Sequence, residues 1–106
     1  MNLEHEKNLL QVKELVVNEL SDYDAQVYLF GSWARGEQKR TSDVDIGIQH
    51  DGEIVPSVFM HIRFLLEEST IPYRVDVVDL LHAGEVLVEK VKKEGILWKD
   101  YLNVSK

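Results

Sequence analysis

From Asp43 to Ile48 the chain alternates without a break. Val44, Ile46 and Ile48 fall on one face of an extended strand, and Asp43, Asp45 and Gly47 on the other. Such a segment needs an apolar layer beneath one face, and it projects two carboxylates side by side from the other. Asp is disfavoured in strands, and two unneutralised carboxylates repel each other. Two readings follow: a pair of hard oxygen ligands of the kind Mg²⁺ takes, or the exposed polar face of an edge strand.

The flanking segments supply the layers that this strand requires. Residues 3–20 carry Leu9, Val12, Leu15, Val16 and Leu20 at helical spacing, and Ser21-Asp22-Tyr23-Asp24 ends that helix in a turn. Val27-Tyr28-Leu29-Phe30 is a short strand stopped by Gly31, with Tyr28 and Phe30 alternating with Val27 and Leu29 as core residues do. Gly36 to Ser42 is a polar loop and Asp51-Gly52 a turn. Pro56 to Glu68 reads as a helix apolar on more than one side, and therefore well buried. Tyr73 to Leu80 is a third strand, expected to be central in the sheet. Gly84 to Glu94 is a helix with Val86, Leu87 and Val91 inward, stopped by Gly95, and Ile96-Leu97-Trp98 adds a short strand. The expected class is α/β (α+β), a small mixed β-sheet with helices packed against it, in one domain over residues 1–106.

Two further features bear on chemistry. Phe30-Gly31-Ser32-Trp33-Ala34-Arg35-Gly36 runs from a strand into a Gly-Ser turn, where a residue without a Cβ lets the backbone approach a ligand. Two readings stand for it: free amides at such a turn bind phosphate, with the Ser32 hydroxyl added, or the pair is an ordinary turn. Asp76 is flanked by Val75 and Val77 in the third strand, where burial would demand a compensating cation. Asp79, three residues on, faces the other side of a regular strand and suits a loop or cap role, so parity favours Asp76.

Composition removes several classes. The chain has no cysteine, which excludes disulfides, thiolate zinc sites and a cysteine nucleophile. Its 12 Lys and Arg against 19 Asp and Glu leave a net charge of −7, which opposes non-specific nucleic-acid binding. No secretion signal opens the chain and no apolar run is long enough to span a bilayer, so a soluble, cytoplasmic protein without membrane contact is expected. His5, His50, His61 and His82 are scattered, without the spacing of a histidine metal site.

Gly31-Ser32, ten intervening residues, Asp43-Val44-Asp45 and a later Asp between hydrophobics together resemble the DNA polymerase β-like nucleotidyltransferase superfamily, in particular its minimal nucleotidyltransferase branch. The resemblance spans about residues 25–100 and implies a polymerase β palm-like fold. It implies Asp43, Asp45 and Asp76 as catalytic metal ligands for two Mg²⁺ ions, and Gly31 and Ser32 as the holders of the nucleotide's β- and γ-phosphates. Arg35 either contacts phosphate, braces the carboxylates or forms a surface salt bridge. Lys39 and Arg40 either attract the nucleotide or are a solvated loop, and Trp33 belongs to the core, to an interface or to a stack on a base.

The branch further implies transfer of AMP from ATP to a hydroxyl of a HEPN-type helical toxin encoded nearby, the chain acting as antitoxin. Three other readings stand beside it: an antitoxin that neutralises by binding alone, nucleotidyl transfer to a small molecule, and a sugar-nucleotide glycosyltransferase, which fails on size. Trp98, Tyr101 and Leu102 form either a patch for a partner or ordinary packing, and self-association is left open.

Overall fold

The computed structural model describes residues 3–101. Helix α1 (Leu3–Glu19) buries Val12 and Val16. Strand β1 (Ala25–Phe30) runs into the single turn α2 (Ser32–Arg35), and β2 (Val44–His50) follows after the polar loop. Helix α3 (Pro56–Glu68) crosses to β3 (Val75–Asp79); a 3₁₀ turn at Leu80–His82 leads to α4 (Glu85–Glu94) and the short β4 (Ile96–Lys99). The sheet is mixed, with order β3-β2-β1-β4. β1 is antiparallel to β2 and β4, while β2 and β3 are parallel.

The alternation in β2 settles the layers. Val44, Ile46 and Ile48 join Val27, Leu29 and Val77 in one core with Val12, Val16, Phe59, Ile62 and Leu66 of α1 and α3. The opposite face packs Tyr28, Leu80 and Val91, with Leu87 and Val88 of α4 against them. Gly47 makes room on that second face, because a Cβ there would lie 2.9 Å from Leu80 Cδ1.

Several expectations are corrected. β3 lies at an edge of the sheet, because the following segment turns over the face as α4 instead of pairing with β3, and Asp76 is exposed. Asp43 precedes β2, which starts at Val44 and continues to His50. α3 buries one face only, leaving Met60 and Phe64 more than half exposed, since the sheet covers a single side of that helix. Val86 stands outward at 84% exposure, and Leu87, Val88 and Val91 form the inward side of α4. Trp98 is half-buried against the first core, while Leu102 lies outside the described residues.

Asp79 has the cap role expected of it. Its Oδ1 accepts from Leu81 N at 3.1 Å, starting the 3₁₀ turn, and lies 2.8 Å from Nε2 of the buried His50. His50 Nδ1 lies 2.6 Å from Gly52 O, so the ring is clamped between two acceptors. Asp79→Ala removes the cap and strands one imidazole nitrogen in the core. It should cost about 1–3 kcal/mol, read as a lower urea midpoint with an unchanged slope.

Candidate active site

The ends of β1, β2 and β3 bring the candidate residues together. β1 pairs Phe30 with Asp45, so the chain leaves β1 at Gly31 beside that carboxylate. β3 pairs Asp76 with Asp45 in parallel register, and both side chains stand on the face covered by α4. A cleft of about 450 Å³ is lined by Gly31, Ser32, Arg35, Asp45 and Asp76, with Phe30, Val78 and Leu87 as apolar walls and Lys90 on its α4 side. Asp43 is exposed at the entrance to β2, outside this lining, yet its charge reaches Asp45.

Gly31 is required twice. Its φ of 77° lies in the left-handed region, and a Cβ there would overlap Asp45 Oδ2, with Asp45 Cγ at 3.2 Å. Gly31 O accepts from Ala34 N at 3.1 Å and Arg35 N at 3.2 Å, which closes the turn. The amides of Ser32 and Trp33 precede the first helical bond and have no acceptor within the helix. Trp33, buried at 7% exposure, fixes this turn from behind. Its Nε1 donates to Ser42 O at 3.3 Å, and its ring lies 4.8 Å from that of Tyr73. Trp33 is therefore a core residue.

Charge is unevenly distributed over the site. Burial, then the neighbouring charges of Asp76 and Asp43, push the Asp45 carboxyl above its ordinary value, against a smaller opposing pull from Arg35. Arg35 forms salt bridges: Nε is 2.9 Å from Glu37 Oε1 and Nη1 is 3.6 Å from Glu94 Oε1. Lys90 makes no ion pair among the described residues. It was missed by sequence reasoning; its one signal is the three-residue spacing from Leu87 on the inward side of α4.

Among the described residues, no three His, Asp or Glu side chains converge tightly enough to enclose an ion. What fits Mg²⁺ is donor chemistry: Asp45 and Asp76 in register on neighbouring strands, Asp43 within electrostatic reach, and an Asp45 carboxyl short of positive charge.

The raised Asp45 pKa carries a sign for stability. The folded state holds the Asp45 proton more tightly than the unfolded chain, so this group's cost grows as pH rises past 3.8 and is complete above the folded pKa. Asp45→Asn should therefore raise Tm at pH 7 without metal. The gain should shrink as pH falls through that window and disappear below it, as calorimetry across pH 3–7 would show.

The model of the polymerase beta nucleotidyltransferase family matches residues 11–100. The protein adenylyltransferase MntA of Shewanella oneidensis is 35% identical over 69 residues, which are 65% of this chain and 49% of that protein, so the match spans about half of its length. A solved structure assigned to the minimal nucleotidyltransferases is 30% identical, with TM-score 0.70 over 91% of this chain and 95% of that one. A toxin–antitoxin crystal structure with AMP-PNP is 28% identical, with TM-score 0.68 over 83% of this chain and 73% of that chain.

Proposed function

The chain belongs to the polymerase beta nucleotidyltransferase family, and from that premise we propose that it transfers AMP from ATP to a hydroxyl of a HEPN-type toxin, acting as its antitoxin through residues 1–106 as one minimal domain. The observation that carries this reading is the single cleft holding the Gly31-Ser32 turn, Asp45 and Asp76. The adenylyltransferase name of the Shewanella relative and the AMP-PNP-bound toxin–antitoxin structure support the choice of nucleotide and of a protein acceptor.

Asp43, Asp45 and Asp76 are the residues that would hold Mg²⁺, which when bound neutralises the carboxylates and the charge of the triphosphate. The Gly31-Ser32 turn holds the β- and γ-phosphates. Asp76 accepts the proton of the acceptor hydroxyl as its oxygen bonds to the α-phosphorus. The bond from the α-phosphorus to the bridging oxygen breaks, and pyrophosphate leaves with the electron pair. Lys90, which lines the cleft and makes no ion pair among the described residues, meets the leaving pyrophosphate. Arg35 is held by Glu37 and Glu94 and contributes less.

Co-expression with the protein encoded beside it, followed by intact mass spectrometry, tests the reaction. One or more added AMP masses should appear on the partner and be absent with Asp43→Asn/Asp45→Asn. A tight but unmodified complex with the unaltered chain would overturn transfer in favour of binding alone. Lys90→Ala should raise KM for ATP about tenfold or more, through loss of a charge-assisted phosphate contact of roughly 1.5–3 kcal/mol. An unchanged KM would remove Lys90 from the site.

A further inference from the structure

The parallel pairing of β3 leaves one side of that strand open. Val44 N donates to Arg74 O at 2.9 Å, so the peptide groups of residues 74, 76 and 78 turn toward β2. Those of Val75 and Val77 turn outward, to the sheet edge. Arg63 of α3 takes one of them, donating from Nη2 to Val77 O at 2.8 Å. Val75 keeps both its amide and its carbonyl unmatched among the described backbone bonds, and Val77 keeps its amide. A cleft of about 230 Å³ runs beside this stretch, between Arg63 and Leu66 of α3 and the segment from Tyr73 to Val77. Asp76 belongs to the linings of both this cleft and the one described above.

Side chains along the strand repeat every two residues, so Arg74 and Asp76 share a face. Arg74 makes no ion pair among the described residues, although the chain carries an excess of acids. Side chains in the same row of a newly paired strand would stand about 4.7–4.9 Å away, the spacing between neighbouring strands.

We propose that the open edge of β3 is where the acceptor docks: the acceptor segment pairs with β3 as an extended, parallel fifth strand, placing its hydroxyl residue opposite Asp76 and an acidic residue, two positions before it, opposite Arg74. This rests on the reading of the protein as an enzyme with a protein acceptor. Main-chain bonds to Val75 and Val77 supply the affinity, and the paired side chains set the choice of residue. The other edge, β4, lies three strands from Asp76 and offers no such placement. The transfer is the one written above: the hydroxyl oxygen bonds to the α-phosphorus, its proton passes to Asp76, and pyrophosphate departs with the electron pair.

The test uses ATP labelled at its α-phosphate, Mg²⁺ and three heptapeptides: Thr-Val-Glu-Val-Tyr-Val-Thr, the same peptide with Lys for Glu, and one with Glu moved a position so that it faces away. The first should be modified with kcat/KM at least tenfold above the other two. Arg74→Glu should reverse the preference between Glu and Lys, while ATP affinity measured by calorimetry stays unchanged. Equal use of all three peptides, or an Arg74→Glu chain that modifies the co-expressed partner at the normal rate, would overturn the edge assignment. So would modification of the partner protein with none of any peptide. Failure to bind ATP or to modify either peptide or partner would instead overturn the transferase reading, and the edge assignment with it.

Discussion

Everything at this site depends on the register of β2. Among the strands of the described residues it alone is paired on both sides and also carries a candidate carboxylate. Its apolar set, Val44, Ile46 and Ile48, is fully buried. A slip of one residue would send all three to the opposite face and Asp45 into the core between α1 and α3. Burial of one face thus fixes the chemistry of the other, and the two registers Phe30–Asp45 and Asp45–Asp76 follow from it. Gly31 extends the same constraint into the loop, since only a residue without a Cβ leaves room for the Asp45 carboxylate there.

That constraint creates an electrostatic debt which the protein alone does not settle. Asp45 is pressed by burial and by two like charges, and Arg35, whose charge pulls the other way, is shared with Glu37 and Glu94. A fold selected for stability alone would place a neutral side chain at residue 45. In the proposed site a charge at Asp45 would be offset by cations from outside, and donors that are all hard oxygens accord with that reading. Lys90, exposed on the α4 side of the same cleft, is a cation that an incoming anion would meet.

The sheet, its four strands and the helices were legible because strict alternation and helical spacing report directly on which face is buried. Asp76 was chosen over Asp79 by side-chain parity, and Asp79 indeed turns to His50 and caps the following turn. Strand order was not legible. Tyr73 to Leu80 reads as a central strand because valines flank Asp76 on both sides, yet β3 is an edge whose valines are covered by α3 on one face and line the site cleft on the other. The same limit hid the exposure of Met60, Phe64 and Val86: apolar spacing marks a helix but not how much of its circumference the sheet covers. Lys90 was invisible for a related reason, since it sits among several lysines of α4 and only the packing of Leu87 and Val91 shows which of them faces the cleft.

The order of groups across the sheet bears on the direction of the proposed reaction. Going from β1 to the edge, one meets the Gly31-Ser32 turn, then Asp45, then Asp76, then open backbone. An in-line displacement needs the leaving group on one side of the α-phosphorus and the nucleophile on the other. With pyrophosphate held at the turn and the α-phosphate beside Asp45, the nucleophile must arrive from the side of Asp76. That side is the one where the sheet ends, and no element of the described chain crosses it. An Asp76 buried in a central strand, as its valine neighbours first suggested, would have been walled off from any macromolecular hydroxyl. In the proposed reaction, its exposure at an edge is what would let a domain of this size, without an acceptor-binding domain among its described residues, act on a partner much larger than a nucleotide.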